Sequence, residues 1–148
     1  MRETYYLNHK NLPTIPEPHD CIIKEIRLEE EKLIFIFEDD ISYHESIEYT
    51  RPEAKTLTIT FHLKCGIYDI NLLKRNKPYR LFRTAGIYRE MDLSKSTAAL
   101  LDLPDLELSY LYHYVRYNAM VIELNALRAS SVILELTTDY VEFDWIDK

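Results

Sequence analysis

Polar and apolar residues alternate through much of this chain with the two-residue period of pleated strands. In Leu57-Thr58-Ile59-Thr60-Phe61-His62-Leu63 the alternation is strict, with Leu57, Ile59, Phe61 and Leu63 on one face and Thr58, Thr60 and His62 on the other, the pattern of a half-buried strand. Lys32 to Glu38 is apolar on both faces and rich in Ile and Phe, which predicts a strand covered on two sides at the centre of the fold. Cys21 to Leu28 precedes it across the acidic turn Glu29-Glu30-Glu31, so the two read as an antiparallel hairpin. Val132 to Thr138 and Tyr140 to Ile146 alternate again, as two strands or as one bent strand.

Leu106 to Leu127 fits two templates. Leu108, Leu111, Val115 and Ile122 approximate a helical stripe, while Leu106, Leu108, Tyr110, Tyr112 and Tyr114 alternate as in a strand. Tyrosine favours pleated surfaces, so strands are the preferred reading, with helix as the alternative. One short helix is predicted over Leu93 to Asp102, ended by Pro104. With only two glycines, the turns must rely on Asn, Asp and longer loops. Met1 to Pro18 holds three prolines and no clear period, and reads as an N-terminal arm that crosses the sheet, ahead of a single β domain over 19–148. The fold class is thus all-β and mainly antiparallel, a β-sandwich or partly open barrel with one short helix. Phe35, Phe37, Ile59, Phe61, Val141, Phe143 and Trp145 are expected to share its one core.

Composition narrows the setting. The 148 residues are 47% hydrophobic, enough for one core without disulfides or metals. Neither a signal peptide nor an apolar run of membrane-spanning length is apparent, and the two cysteines, Cys21 and Cys65, are too few for a disulfide framework. The expectation is a cytoplasmic protein. A net charge of −7 repels phosphate backbones, which disfavours nucleic acid as a partner and favours a basic protein.

The densest cluster of reactive groups is His19-Asp20-Cys21. On a continuous strand His19 and Cys21 face one way and Asp20 the other, so the three should not converge; Asp20 is expected to accept backbone N–H bonds where the strand begins. His19, Cys21, His44, His62, Cys65 and His113 hold ligand chemistry suited to zinc but none of its strong spacings. Nucleophile elbows and phosphate loops are missing as well. No catalytic residue, metal or cofactor is therefore assigned.

Two stretches are candidate binding surfaces. Between Lys74 and Arg89 lie Lys74, Arg75, Lys77, Arg80, Arg83 and Arg89 with no acidic residue among them, interleaved with Tyr79, Phe82 and Tyr88. Such a pattern suits a nucleic-acid strand, although neutralising the chain's own carboxylates is the plainer use. Tyr110, Tyr112 and Tyr114 would form a ladder on one strand face, suited equally to an interface and to the rim of a core.

The run His19-Asp20-Cys21-Ile22-Ile23-Lys24-Glu25-Ile26, followed by Leu33-Ile34-Phe35-Ile36-Phe37 and Leu57-Thr58-Ile59-Thr60-Phe61, resembles small bacterial proteins of uncharacterised function whose first strand opens with His-Asp. Some of these look like immunity proteins of bacterial toxin systems. The resemblance implies an all-β fold and a protein partner. The function expected is non-enzymatic protein binding, with Tyr110, Tyr112, Tyr114, Arg80 and Arg83 as candidate contacts. The alternatives are a small-ligand-binding β domain and an enzyme whose site assembles from His19, Asp20, His44 and His62. Oligomeric state is not legible.

Overall fold

The structure, a computed structural model, describes residues 1–76, 88–127 and 130–148. In chain order its elements are β1 (Arg2–Tyr6), β2 (Ile23–Glu29), β3 (Lys32–Phe37), helix α1 (Glu45–Thr50), β4 (Ala54–His62), β5 (Ile70–Asn76), β6 (Arg89–Met91), helix α2 (Ala98–Leu101), β7 (Leu108–Arg116), β8 (Ala119–Ala126), β9 (Ser130–Thr137) and β10 (Tyr140–Asp147). Single 3₁₀ turns occupy Gly66–Asp69 and Leu103–Leu106. The strands form two five-stranded antiparallel sheets: sheet A in the order β1-β10-β4-β3-β2, and sheet B in the order β6-β5-β9-β8-β7. This is the sandwich the alternating pattern predicts.

Alternation builds the core. Cross-strand rows such as Phe143–Ile59–Phe35–Ile26 and Trp145–Leu57 point inward from sheet A. Sheet B contributes Leu72, Leu134, Ile122 and Leu124. All seven predicted core residues are buried in one cluster, with Phe35 and Phe61 in edge contact at 5.1 Å. No helix among the described residues is long and apolar enough to cross a membrane.

Four expectations need correction, and one open alternative is resolved. β4, not β3, is the middle strand of sheet A, and Ile34 and Ile36 lie half-buried on its outer face, so β3 is covered on one side. Two short helices form where one was expected. α1 follows the loop after β3; α2 is a single turn that ends at Leu101, and Pro104 sits at the start of the next 3₁₀ turn, where its missing N–H is no loss. The arm begins with a strand, because Arg2–Tyr6 pairs with β10 in register. Of the two readings open for Val132 to Ile146, the structure has two strands, one in each sheet, with Thr138 and Asp139 carrying the chain across. Cys21 and Ile22 do not continue β2 as a strand: Ile22 bridges Ser109 and the Tyr110 N–H donates to Cys21 O at 3.0 Å, while Ile22 O still accepts from the Glu38 N–H at 3.0 Å, so this stretch ties the edge of sheet A to β7.

The turns use Asp and Asn, as expected, but also Glu107 and Gly66. Asp20 (φ 65°), Glu107 (φ 56°) and Asn118 (φ 53°) adopt the left-handed conformation, which Asp and Asn tolerate better than most. Gly66 is required outright: its φ is +59°, and a Cβ there would stand 2.5 Å from the carbonyl oxygen of Glu30.

Candidate functional site

His19 and Asp20 do meet. Because Asp20 turns in the left-handed conformation instead of extending, its carboxylate comes round to His19 Nδ1 at 3.0 Å. The parity argument fails here because it assumes a continuous strand. Asp20 is exposed, and its backbone N–H, not its carboxylate, makes the main-chain contact, to Tyr110 O at 2.8 Å. The His19 ring packs against Tyr112 with centroids 4.8 Å apart.

Cys21 is fully buried, and desolvation, with the Glu38 carboxylate a further cause, pushes its thiol up to about 12, well away from a reactive thiolate. Glu38 is the hub beside it. Its Oε1 accepts from the Ile22 N–H (3.1 Å) and lies 2.7 Å from His44 Nε2, while its Oε2 accepts from the Tyr43 hydroxyl at 2.7 Å. That last bond is the main reason the Tyr43 phenol rises to about 12. The cluster fixes the β3-to-α1 loop against the start of β2.

His62 has its own partner, Glu142 Oε2 at 2.7 Å, and stacks on Tyr140 at 4.0 Å. It pairs with Lys32 at one end of β3, whereas Glu38 and His44 follow the other end. Five strand steps of about 3.3 Å separate those ends by roughly 16 Å. The structure therefore brings His19 to Asp20 and His44 to Glu38, but does not gather His19, Asp20, His44 and His62 into one centre. Among the described residues no group of three His, Cys, Asp or Glu side chains is placed to hold a metal.

The tyrosine ladder is broken by a bulge. Tyr110 pairs with Leu124 and Tyr112 with Glu123, so Leu111 is the extra residue and the facing reverses. Tyr110 is fully buried against Phe37, whereas Tyr112 and Tyr114 are 45% and 56% exposed. Tyr110 is thus a core residue and not a contact. Its hydroxyl is hydrogen-bonded to His113 Nδ1 at 2.7 Å, and the His113 backbone N–H donates to Glu17 Oε1 at 3.3 Å, which pins the arm to β7. Beside this anchor, Ile15, Pro16, Tyr49 and Val115 line a groove of about 710 Å³.

Tyr112 and Tyr114 stand on the outer face of sheet B. Register places Tyr112, Glu123, Ile133, Leu73 and Glu90 in one cross-strand row, and Tyr114, Val121, Glu135 and Asn71 in the next. Leu73, Val121 and Ile133 are half-buried, and Glu90 and Glu135 are exposed. Among the described residues Glu90, Glu123 and Glu135 have no cationic partner within ion-pair distance. The face therefore combines two phenols, a strip of aliphatic side chains and carboxylates without a direct ion-pair partner among the described residues, with Arg75 and Arg116 further along the same face. The alternation that puts Val132, Leu134 and Leu136 inside also puts Ile133 and Glu135 outside, so the signal was present in the sequence. It was missed because only the apolar parity of β9 was followed.

Arg80 and Arg83, with Lys77, Tyr79 and Phe82, lie outside the described residues. Of the same basic stretch, Arg75 lies over the Tyr88 ring at 5.8 Å. Comparison of the chain with protein-family models, curated proteins and solved structures gave no match.

Proposed function

We propose that this protein is a non-enzymatic binding module that engages a basic partner protein through the outer face of sheet B. The observation that carries the reading is the placement of Tyr112 and Tyr114 beside Glu123 and Glu135, two carboxylates without an ion-pair partner among the described residues, over half-buried Val121 and Ile133. Tyrosine supplies apolar contact area together with a hydroxyl. Uncompensated carboxylates steer a positively charged partner and reject an acidic one. The net charge of −7 acts in the same direction at longer range. The resemblance to immunity proteins gives the partner a class, a toxin component met in the bacterial cytoplasm.

The reading is tested by capture from extract of the source cells, followed by mass spectrometry, with wild type, Tyr112→Ala/Tyr114→Ala, Glu123→Lys/Glu135→Lys and a Thr58→Lys/Thr60→Lys control on the opposite sheet. A basic protein should be retained by wild type and the control, released by raised salt, and lost from both sheet B variants. Retention by the sheet B variants, or replacement of the protein by salt-sensitive single-stranded nucleic acid, overturns the proposal.

A further inference from the structure

The outermost strand of sheet A carries an inference independent of the face just described. Met1 O accepts from the Trp145 N–H at 2.8 Å, and the Leu7 N–H donates to Asp139 O at 2.7 Å. With the continuous register Arg2↔Asp144 to Tyr6↔Tyr140, these bonds make the odd-numbered residues the ones that bond to β10. The backbone N–H and C=O groups of Arg2, Thr4 and Tyr6 therefore point away from the sheet, and among the described residues they have no backbone partner. All three residues are exposed. Two of the other edges are covered among the described residues: β2 packs against α2 and the 103–106 turn, and β7 bonds to Asp20 and Cys21. Free edges are commonly blunted by charged side chains, above all lysine, by proline or by a bulge; β1 has no lysine, proline or bulge, and its two charges, Arg2 and Glu3, are paired within the chain to Asp144 and Arg51.

We propose that β1 is a homodimer edge, pairing antiparallel with β1 of a second copy so that two five-stranded sheets become one continuous sheet. The sequence of the strand is self-complementary about Thr4. A two-fold axis there sets Thr4 against Thr4 of the other copy, and Arg2 against Tyr6 in both directions. All three pairs are in the bonded register, each exchanging two N–H···O=C bonds. The guanidinium of Arg2 then meets an aromatic ring. Like charges do not face each other, because the two Arg2 side chains lie four strand steps apart, about 13 Å. A foreign strand would satisfy the backbone equally well, but this side-chain match belongs to a second copy.

Sedimentation velocity over a wide concentration series should show the mass rising from the 17.7 kDa of one chain towards twice that value. Thr4→Pro removes the donor at the two-fold axis, and because the Thr4 N–H makes no bond to β10, proline is compatible with β1. This variant should remain monomeric at every concentration with an unchanged far-UV circular dichroism spectrum. A second arm does not depend on that variant folding. In a Cys65→Ser background, Thr4→Cys should cross-link as a dimer under mild oxidation, since bonded antiparallel pairs have Cα atoms about 5.5 Å apart, within disulfide reach. Arg2→Cys in the same background should not. A wild type that stays monomeric, a dimer that survives Thr4→Pro, or Arg2→Cys cross-linking as readily as Thr4→Cys overturns the proposal.

Discussion

The outer face of sheet A settles its charges at home. Arg2 meets Asp144 at 2.8 Å, Arg27 meets Glu25 at 2.6 Å and His62 meets Glu142 at 2.7 Å, around a central strand that shows threonines to solvent. The outer face of sheet B does otherwise: Glu123 and Glu135 sit diagonally across β8 and β9 with no ion-pair partner among the described residues, and aliphatic side chains fill the positions between them. The two faces come from one chain and cover one core, so composition does not explain the contrast. A self-neutralised face is complete in the isolated protein, whereas an acidic and partly apolar face is completed by something positively charged.

The comparison presumes that both faces belong to one cooperative unit. Phe61 is fully buried beneath sheet A and packs on Phe35, so Phe61→Ala should cost about 3 to 5 kcal/mol. Urea unfolding followed both by the fluorescence of the single tryptophan, Trp145 in sheet A, and by circular dichroism of both sheets should give one coincident transition for wild type and variant. Separate transitions would divide the molecule into two units and remove the basis for comparing its faces.

A smaller effect sharpens the boundary between the core and the face of sheet B. Tyr110→Phe leaves buried His113 Nδ1 without its hydrogen-bond partner and should cost about 1 to 3 kcal/mol, while Tyr112→Phe, beyond the bulge, should cost almost nothing. Burial holds His113 below the ordinary imidazole value, against the opposing pull of Glu17 and a hydrogen bond to the Ile15 backbone. With the folded pKa depressed, the unfolded chain takes up the proton more readily. The contribution of His113 is therefore fully present above about pH 6.5, the unfolded value, and is lost as pH falls through the folded one. Comparing urea stability at about pH 7.5 and pH 5.5, His113→Gln should lose less than wild type. An equal loss would show that His113 does not carry this dependence.

The same region shows how far the sequence could be read. Period-two alternation located β4, β9 and β10 because each has one face against the core, and burial enforces parity along the strand; β3 was legible as a run of Ile and Phe, and β7 and β8 lay in a stretch that fitted a helical template as well. Parity fails at single residues. The extra residue Leu111 inverts the facing of Tyr112 and Tyr114 relative to Tyr110, and the left-handed Asp20 swings its carboxylate onto His19. Neither event changes composition or period, so neither leaves a mark that periodicity can detect. β1 was unreadable for a different reason: an edge strand with Tyr5 and Glu3 half-buried and the rest exposed has too weak an apolar contrast to stand out. The Tyr112–Tyr114 half of the candidate surface was visible in the sequence, but its acidic half depends on which strands lie side by side, which only the topology supplies.

The finest test matches one substitution on the two faces. Glu142 and Glu135 both point outward from strands inside their sheets, so replacing each with Ala changes β-propensity and side-chain length equally and leaves the charged surroundings as the difference. Glu142→Ala removes the partner of His62 and should lower stability by about 0.5 to 1 kcal/mol. Glu135→Ala removes a carboxylate whose diagonal neighbour, Glu123, carries the same charge, at a separation of roughly 7 Å. Its effect should stay within about 0.5 kcal/mol and have the opposite sign at low salt. That gain should fade as added salt brings the screening length down to a few ångströms. A loss on Glu135→Ala comparable to that on Glu142→Ala would mean that Glu135 is compensated within the protein, and the face of sheet B would then need no basic partner.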